Sequence, residues 1–397
     1  MTITRQLERR RAALAAACDC VVLVHAGEPV TVPGRGDVTY PFRSHSEYLY
    51  LTDRERPGGV LAIAPDGEVA DFVVPISQQE RLWTRVDELE GDVRDVAELD
   101  AWLRHRPYAA LGAAPPNELT SDAREALLRI RRVKDEVELE RMRSAAAATR
   151  AGFDALEAAI RPGVSERELQ LELETAFFRN GADFLAFDTI VGIGDHAAVL
   201  HFSPTDRTLA AGELVLVDAG AEHRGYAADI TRTFTFTDEQ RALHEIVARA
   251  HQAAIDTCRP GIAWSDVHRT AALVIGEGLV DFGVLRGDPE SLVDSGAVTL
   301  FFPHGVGHMV GLGVRDAGGP GRTAHAGLPA IRVDLPLEPG FTMTVEPGIY
   351  FVPALLAEAR GRDDVAWDRV DELLALGGVR IEDNVLVTAA GCEVLTR

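Results

Sequence analysis

The sequence is poor in lysine and in positive charge, which excludes two kinds of partner. Lys134 is its only lysine, so 39 of its 40 basic residues are arginine, and 62 acidic residues give a formal net charge of −22 at pH 7. Binding to nucleic acid or to an anionic membrane surface requires clustered basic side chains that neutralise phosphates. We therefore expect neither nucleic acid nor a membrane as a partner.

Cysteines and long apolar runs are also scarce. The four cysteines are scattered through the chain, and their spacings match neither a paired metal-binding motif nor a redox motif. Free thiols of this kind are typical of the reducing cytoplasm. No apolar stretch reaches the roughly 18 uninterrupted residues that indicate a membrane-spanning helix. We therefore expect a cytoplasmic protein.

What the sequence does contain is the composition of a folded chain with more than one domain. Its 397 residues are 46% hydrophobic and 26% charged, which is close to the average for globular proteins. Short apolar runs at residues 21–25 and 60–64, bounded by Gly, Pro and Asp, predict buried strands. We predict an α/β (α+β) fold with a smaller α/β domain at residues 1–128 and a larger domain at residues 129–397.

A charged helical pattern begins near residue 124. Apolar residues between Leu127 and Met142 recur at helical spacing, and Lys134 is among the charged residues between them. Such runs usually form the solvated face of a helix, and that is the prediction for Lys134 and its neighbours. A second helix is predicted to start at Ser165, with Glu166 in its first turn.

Two aspartates of the larger domain are predicted to lie side by side. Asp218 ends an apolar strand at residues 213–219, and Asp229, eleven residues later, lies in an alternating strand at residues 226–237. A hairpin of these two strands brings both carboxylates together. Adjacent carboxylates repel unless a cation or a proton lies between them. Surface carboxylates in turns explain the pair equally well.

Three further motifs favour a cation. His304 and His308 enclose the string Gly-Val-Gly, whose glycines free the backbone. Glu346 ends an apolar strand just before a Pro-Gly turn. The predicted strand at residues 379–387 places Arg380 and Glu382 on one face. Burial of a glutamate in a sheet is costly without a cation.

Together these motifs offer four carboxylates and one imidazole as metal ligands: Asp218, Asp229, His308, Glu346 and Glu382. An oxygen-rich set with a single nitrogen suits Mn²⁺, and Co²⁺ or Zn²⁺ less specifically. Five ligands that include bridging carboxylates exceed what one ion with an open position needs. We therefore predict two divalent ions about 3.5–4 Å apart.

The order and spacing of the motifs resemble those of the pita-bread metallopeptidases. The strings are Val-Asp-Ala-Gly, Ala-Asp-Ile-Thr-Arg-Thr-Phe, His-Gly-Val-Gly-His, Val-Glu-Pro-Gly-Ile-Tyr and Val-Arg-Ile-Glu-Asp, and they span about residues 130–390. Within these enzymes the sequence is most similar to the proline-specific branch, Xaa-Pro dipeptidase (prolidase) and aminopeptidase P. The resemblance implies a pita-bread catalytic domain and a peptide substrate with proline in the second position.

The N-terminal domain resembles the non-catalytic N-terminal domain of that branch (creatinase/aminopeptidase P type), chiefly through residues 40–52. The resemblance implies a homodimer in which this domain lends residues to the neighbouring active site. Arg35, Asp37, Arg43 and Glu47 are the candidates. An exposed surface loop explains each of them equally well.

The resemblance also implies how the metal ligands divide their work. Asp218 binds one ion, and Asp229 and Glu382 bridge both. His308 and Glu346 complete the ligand shell. Glu346 also exchanges protons with a hydroxide that bridges the ions and attacks the carbonyl before proline.

Four more residues receive catalytic roles from the resemblance. His201 matches a histidine that shapes the substrate pocket and contacts the scissile region, and His304 matches one near the proline subsite. Tyr350 and Arg380 match positions that hold the metal ligands by hydrogen bonds.

Two arginines bear on specificity. Arg332 lies where prolidases place an arginine that binds the free carboxylate of the substrate, a task suited to a bidentate guanidinium. Arg315 replaces the histidine that related enzymes carry seven residues after the metal-binding one. An arginine can stabilise an oxyanion there, or bind the substrate carboxylate, but it cannot shuttle protons near neutral pH. An exposed loop arginine is the alternative for Arg332.

The leading hypothesis is a Xaa-Pro dipeptidase with two metal ions. Aminopeptidase P, which releases the first residue of longer Xaa-Pro peptides, is the alternative. A non-catalytic binding protein on the same scaffold and a metal-free creatinase-like amidinohydrolase are disfavoured, because both would be expected to lack some of the five ligands.

Overall fold

A computed structural model describes residues 2–36, 38–82, 92–112, 119–319 and 322–397. The chain divides into two compact units, Met1–Arg131 and Arg132–Arg397. In the part of the chain that is described, no helix is both long enough and apolar enough to cross a bilayer.

The N-terminal unit is built around one mixed sheet of five strands in the order β4-β3-β2-β1-β5. Its elements are α1 (Ile3–Ala17), β1 (Val21–His25), α2 (Ser46–Thr52), β2 (Val60–Ile63), β3 (Val69–Val73), β4 (Val93–Asp95), α3 (Leu99–Leu103), β5 (Tyr108–Leu111) and α4 (Thr120–Arg132). The central strand β1 pairs antiparallel with β2 and parallel with β5. On one side of the sheet Phe72 meets the edge of Trp102 with ring centroids 5.6 Å apart. Both apolar runs predicted as buried strands are therefore confirmed.

The C-terminal unit alternates helices with short strands. Its elements are α5 (Glu136–Ala159), α6 (Glu166–Arg179), β6 (Phe184–Leu185), β7 (Ile190–Ile193), β8 (Val215–Ala219), β9 (Ala221–His223), β10 (Tyr226–Ala227), β11 (Ile230–Phe234), α7 (Asp238–Thr257), α8 (Trp264–Asp281), α9 (Pro289–Asp294), β12 (Thr323–His325), β13 (Leu328–Ile331), β14 (Thr342–Val345), β15 (Gly348–Tyr350), α10 (Pro353–Glu358), α11 (Trp367–Leu373), β16 (Gly378–Arg380), β17 (Asp383–Val387) and β18 (Cys392–Val394). The sheets that matter for the site are β11-β8-β7, β14-β17-β18 and β15-β16.

The strands of the site rest on a core formed with the helices. α7 and α8 pack against each other and contribute Leu243, Val247 and Ile275 to a large apolar cluster that also contains Val345 and Val379. A second cluster joins α5 and α6 to β7 and β8. These buried side chains fix the strand ends from which the polar residues project.

The charged helical pattern is a solvated face only in part: Glu136 and Glu140 are exposed, but Lys134 and Glu138 are buried, and for these two the prediction is wrong. The chain breaks after α4, and Asp135 starts α5 with a capping box in which its carboxylate accepts from Glu138 while the Glu138 side chain accepts from the Asp135 backbone. The Lys134 side chain is fully buried, and its Nζ lies 2.7 Å from Asp316 Oδ2. Local spacing cannot reveal this partner, because it lies far away in the sequence. The helix start predicted at Ser165 is confirmed, with a capping box between Ser165 and Glu168.

Two long strands of the sequence prediction are each interrupted. Residues 226–237 form β10 and β11 with a break between them, because the side-chain amide of Asn384 hydrogen bonds to both the N–H (3.0 Å) and the C=O (2.8 Å) of Asp229. Residues 379–387 form β16 and β17, and the Glu382 N–H between them donates to the Thr231 carbonyl (3.0 Å). Each break leaves a carboxylate at the end of a strand.

Candidate metal centre

Asp218 and Asp229 lie at the same end of the β8–β11 pair. In the antiparallel register Asp218 faces Thr231 and Ala219 faces Ile230, so Asp229 lies just beyond the paired strand. Gly220 makes this return possible, because a Cβ atom there would lie 1.9 Å from the Ala228 carbonyl oxygen. The predicted juxtaposition of the two aspartates thus has a steric basis.

Thr231 connects Glu382 to Arg380. Its hydroxyl donates to Glu382 Oε2 (2.8 Å) and accepts from Arg380 Nε (3.1 Å). Arg380 also donates to Asp218 Oδ2 (2.6 Å) and to the Tyr350 hydroxyl (2.8 Å). One buried guanidinium therefore orients one metal-ligand carboxylate directly and another through a threonine.

The histidine lies in a segment that runs beside strand β14, and the last glutamate directly follows β14. The His308 N–H donates to Thr344 Oγ1 (3.0 Å), and the Thr344 N–H donates back to the His308 carbonyl (2.8 Å). The Glu346 N–H donates to the Val306 carbonyl (2.8 Å). Gly307 allows this close approach, since a Cβ atom there would lie 2.0 Å from the Thr344 carbonyl oxygen.

The protonation of His308 indicates a cation. Its Nδ1 lies 3.0 Å from the Met309 carbonyl, which can only accept, so Nδ1 carries the hydrogen. Burial lowers the pKa of the imidazole to about 4, so Nε2 keeps its lone pair at neutral pH. That lone pair lies 3.6 Å from Asp229 Oδ2 and 3.8 Å from Glu346 Oε1. Three acceptor atoms therefore converge, and they repel one another unless a cation or a proton lies between them.

The raised pKa values of the carboxylates also indicate that positive charge is lacking at the site. Burial and then the neighbouring carboxylates Asp218 and Glu346 raise the pKa of Asp229 well above its ordinary value. Burial likewise raises the pKa of Glu382 far above its usual range, and that of Glu346 to about 7. Within the described residues, buried atoms Asp218 Oδ1 and Glu382 Oε1 meet no hydrogen-bond donor.

These residues fit a divalent metal centre. Asp229, His308 and Glu382 each present one ligand atom, and the three atoms lie within 4.8 Å of one another. Orphaned carboxylate oxygens and an imidazole lone pair are the donor set that hard to borderline divalent ions bind. A bound cation would remove the repulsion that raises the carboxylate pKa values.

His304 and Tyr350 are hydrogen bonded to each other beside the carboxylates, and His304 Nδ1 lies 3.7 Å from Glu346 Oε2. His304 Nδ1 lies 2.9 Å from the Gly305 carbonyl and donates to it, so Nε2 accepts from the Tyr350 hydroxyl at 2.9 Å. The Tyr350 oxygen in turn accepts from Arg380. Burial, followed by the nearby charge of Arg380, lowers the pKa of His304 to about 3. Both ring nitrogens are engaged, so His304 offers the cavity its ring edge rather than a free base.

The metal centre opens into a cavity of about 740 Å³. His201, Arg315 and Arg332 all line it, as does Arg322, which the sequence analysis did not single out. Burial and the charges of Arg315 and Arg322 lower the pKa of Arg332, which indicates that the three guanidinium groups share one space. This gives the cavity a cationic wall.

The remaining candidates lie in the N-terminal unit. Arg35 and Arg43 are exposed, and Glu47 lies in the first turn of α2. Asp37 falls outside the described residues.

Three useful residues were missed by the sequence analysis. Thr231 lies two positions after Asp229, and alternation along a strand could have placed it beside that carboxylate. Asn384 carries no local signal, because it hydrogen bonds to Asp229, which lies 155 residues away in the sequence. Arg322 lies in a loop segment without a recognisable motif.

Comparisons with known proteins agree with this geometry. The family model described as metallopeptidase family M24 matches residues 140–389, and the one described as the aminopeptidase P N-terminal domain matches residues 7–101. The chain is 31% identical to a Xaa-Pro dipeptidase of Shewanella oneidensis over 95% of this chain and 92% of that protein. It is 37% identical to a Xaa-Pro dipeptidase of Stenotrophomonas maltophilia over 73% of this chain and 68% of that protein.

Solved structures give the same result. Proline aminopeptidase P II from Yersinia pestis superposes with a TM-score of 0.84 at 28% identity, covering 100% of this chain and 96% of the other. The likeness therefore extends over both units of the chain.

Proposed function

The chain belongs to metallopeptidase family M24, and from that premise we propose that it is a Xaa-Pro dipeptidase. It is a Xaa-Pro-specific peptidase with a pita-bread catalytic domain, and its relatives include proteins named Xaa-Pro dipeptidase. The reaction we assign is hydrolysis of the imide bond in dipeptides that carry proline in the second position.

The protein is a divalent-metal enzyme, and we propose two Mn²⁺ ions. Asp218 would bind one ion, Asp229 and Glu382 both, and His308 and Glu346 would complete the set. When bound, such ions activate the attacking water and polarise the scissile carbonyl. The oxygen-rich ligand set supports Mn²⁺ over softer metals.

The chain's own residues orient the substrate and move protons. Glu346 lines the cavity beside His308, where its carboxylate can take a proton from the attacking water and return it to the proline nitrogen that leaves. Arg380 holds Asp218 and, through Thr231, Glu382. His201 lines the cavity at the position we assign to the scissile region, and His304 supplies its ring to the proline subsite.

The observation that carries the dipeptide assignment is the cationic wall of the cavity. A dipeptide ends in a carboxylate one residue beyond the scissile bond, and a guanidinium pairs with a carboxylate through two parallel hydrogen bonds. Arg332 is the residue we assign to this contact, with Arg315 beside it. A peptide that continues beyond proline would place a neutral amide there.

The test is a paired assay of Ala-Pro and Ala-Pro-Ala on the Mn²⁺-loaded protein. We expect cleavage of Ala-Pro and not of Ala-Pro-Ala. Arg332→Ala should lower kcat/KM for Ala-Pro by about 100-fold, since a charge-assisted pair contributes on the order of 2–3 kcal/mol. Arg249→Ala, at an exposed arginine of α7, is the control and should leave the rate unchanged.

Aminopeptidase P is the alternative that the same assay distinguishes. Cleavage of Ala-Pro-Ala with Ala-Pro left intact would assign the chain to aminopeptidase P. A loss in Arg332→Ala that is equal for both peptides would remove Arg332 from the carboxylate contact.

Assembly and location complete the proposal. We propose a homodimer in the cytoplasm. The dimer is supported by an exposed loop of the N-terminal unit whose two sides pair. The Val32 N–H donates to the Val38 carbonyl, and the Tyr40 N–H donates to the Val30 carbonyl. Val30, Val38 and Tyr40 are 64%, 49% and 52% exposed, an apolar surface suited to a second copy. Sedimentation velocity tests the assembly, and a monomer would contradict it.

A further inference from the structure

We propose that Glu166 is a positioning residue that closes the base of the loop at residues 194–204 and thereby holds His201 in the cavity. The proposal rests on the proposed function, in which His201 contacts the scissile region. Glu166 begins α6, and none of its side chain is exposed. Nothing in the metal centre accounts for a carboxylate buried at this place.

Both carboxylate oxygens of Glu166 accept hydrogen bonds from the loop, one oxygen from each of its two ends, which we call its stems. Oε1 accepts from the Ile193 N–H (3.0 Å) and lies 2.7 Å from His196 Nδ1, on the side that precedes His201. Oε2 accepts from the Thr205 N–H (3.0 Å) and the Thr205 hydroxyl (2.6 Å), on the side that follows it. The carboxylate therefore joins the two stems with four hydrogen bonds.

The backbone of the same helix end binds the returning stem. The Glu166 N–H donates to the Arg207 carbonyl (3.0 Å), and the Arg167 N–H donates to the Thr205 carbonyl (3.0 Å). The first turn of an α-helix has N–H groups without intrahelical partners, and here the loop supplies those partners. The stem that follows His201 is thus held by both the main chain and the side chain of Glu166.

The middle of the loop is anchored only in part, since Leu200 packs against the large apolar cluster while its neighbours are exposed. Val199 is 51% exposed, and His201 and Ser203 are exposed as well. The His196 ring, which Glu166 orients, packs against the Phe202 ring with centroids 4.3 Å apart. We call Glu166 with its four hydrogen bonds to the loop the clamp. Through the contact of His196 with Phe202, the clamp acts on the residue next to His201.

A glutamine cannot replace this carboxylate. Its oxygen satisfies one stem, while its NH₂ group faces the N–H of Ile193 or of Thr205, depending on its orientation. The imidazole and the hydroxyl can adapt to a donor, but the backbone N–H cannot. Glu166→Gln therefore leaves one backbone N–H, buried at Ile193 or part-buried at Thr205, without its acceptor and releases one stem.

The first readout is hydrogen–deuterium exchange, which requires no substrate. Glu166→Gln should speed exchange in peptides covering residues 194–204 relative to peptides from α7 and α8. Glu168→Gln is the matched control, because Glu168 lies on the same turn but, among the described residues, hydrogen bonds only to Ser165, and glutamine preserves a capping box. Thr205→Val, with Thr205→Ser as its conservative partner, is the second variant if Glu166→Gln folds poorly.

The second readout is a double-mutant cycle with His201→Ala on Ala-Pro hydrolysis at equal bound metal. Glu166→Gln should lower kcat/KM by about 10–100-fold, because misplacing a reacting group by about 1 Å has an effect of this size. In the His201→Ala background the same substitution should have little further effect, since it acts through His201.

The outcomes separate this proposal from the proposed function. Unchanged exchange in the loop overturns the clamp, whatever the activity. Faster exchange with additive losses in the cycle overturns the action through His201 and leaves Glu166 a purely structural residue. A wild-type protein that does not cleave Ala-Pro refutes the proposed function, while the exchange experiment still decides whether Glu166 orders the loop.

Discussion

At the scale of single residues, the only lysine of the chain takes part in a buried ion pair. Lys134 Nζ lies 2.7 Å from Asp316 Oδ2, and both side chains are almost completely buried. Asp316 follows Arg315, and its carboxylate also accepts from the Leu312 N–H (3.3 Å). The pair therefore stabilises the turn that carries Arg315 to the wall of the cavity.

Removal of the ammonium group should be costly. Lys134→Met leaves the Asp316 carboxylate buried without its ammonium partner, and we expect the free energy of unfolding to fall by about 3–5 kcal/mol. Urea denaturation measures this loss. The double variant Lys134→Met with Asp316→Leu should recover part of it, because an apolar pair needs no charge compensation. A loss below about 1 kcal/mol in the single variant, the level of a solvated surface pair, would contradict the buried pair.

At the scale of elements, the site depends on where strands stop. Predicted strands at residues 226–237 and 379–387 are each divided in the structure, and Asp229 and Glu382 lie in the breaks. Hydrophobic alternation correctly predicted that these residues form strands, but it did not predict where each strand is interrupted. The Asn384 amide that grips the backbone of Asp229 comes from 155 residues away, so no local pattern could indicate it.

The close approach at Gly220 gives a prediction for the β8–β11 pair. Gly220→Ala places a methyl group 1.9 Å from the Ala228 carbonyl oxygen, so the backbone between Asp218 and Asp229 must shift. We expect bound metal per chain, measured by elemental analysis, to fall at least tenfold at limiting metal, since about 1.4 kcal/mol of strain suffices for that change.

Gly361→Ala is the control, because a Cβ atom at that position would have no heavy atom of the described residues within 4 Å, its two chain neighbours aside. Full metal binding by Gly220→Ala would mean that the hairpin relaxes without separating the carboxylates.

At the scale of the whole molecule, folding concentrates negative charge in one place. The chain carries a net charge of −22, and four of its carboxylates converge with the His308 lone pair. Much of the acidity is spread over the surface, but repulsion within this buried cluster lowers the stability of the folded state. A cation that binds only the folded state offsets that cost.

Removal of metal should therefore lower the melting temperature. A ligand present at 100 times its dissociation constant stabilises the folded state by about 2.7 kcal/mol. We expect Mn²⁺ to raise the Tm of chelator-treated protein by several degrees, as measured by calorimetry. The increase should vanish in Asp229→Ala and persist in Glu172→Ala, at an exposed glutamate of α6. An equal increase in both variants would place the stabilising ion elsewhere.

The sequence by itself determined the family, the α/β class and the residue types of the candidate metal centre. These properties depend on short local sequence motifs. Asp218 and Glu346 stand at the ends of apolar strands, and glycines precede His308. Only the tertiary structure decided how these motifs meet. Thr231 hydrogen bonds to both Arg380 and Glu382. Lys134 pairs with Asp316, the neighbour of Arg315, and Glu166 hydrogen bonds to both ends of the loop that carries His201. The physical reason is that a buried polar group must find its partner wherever the fold brings one, often from a distant part of the chain.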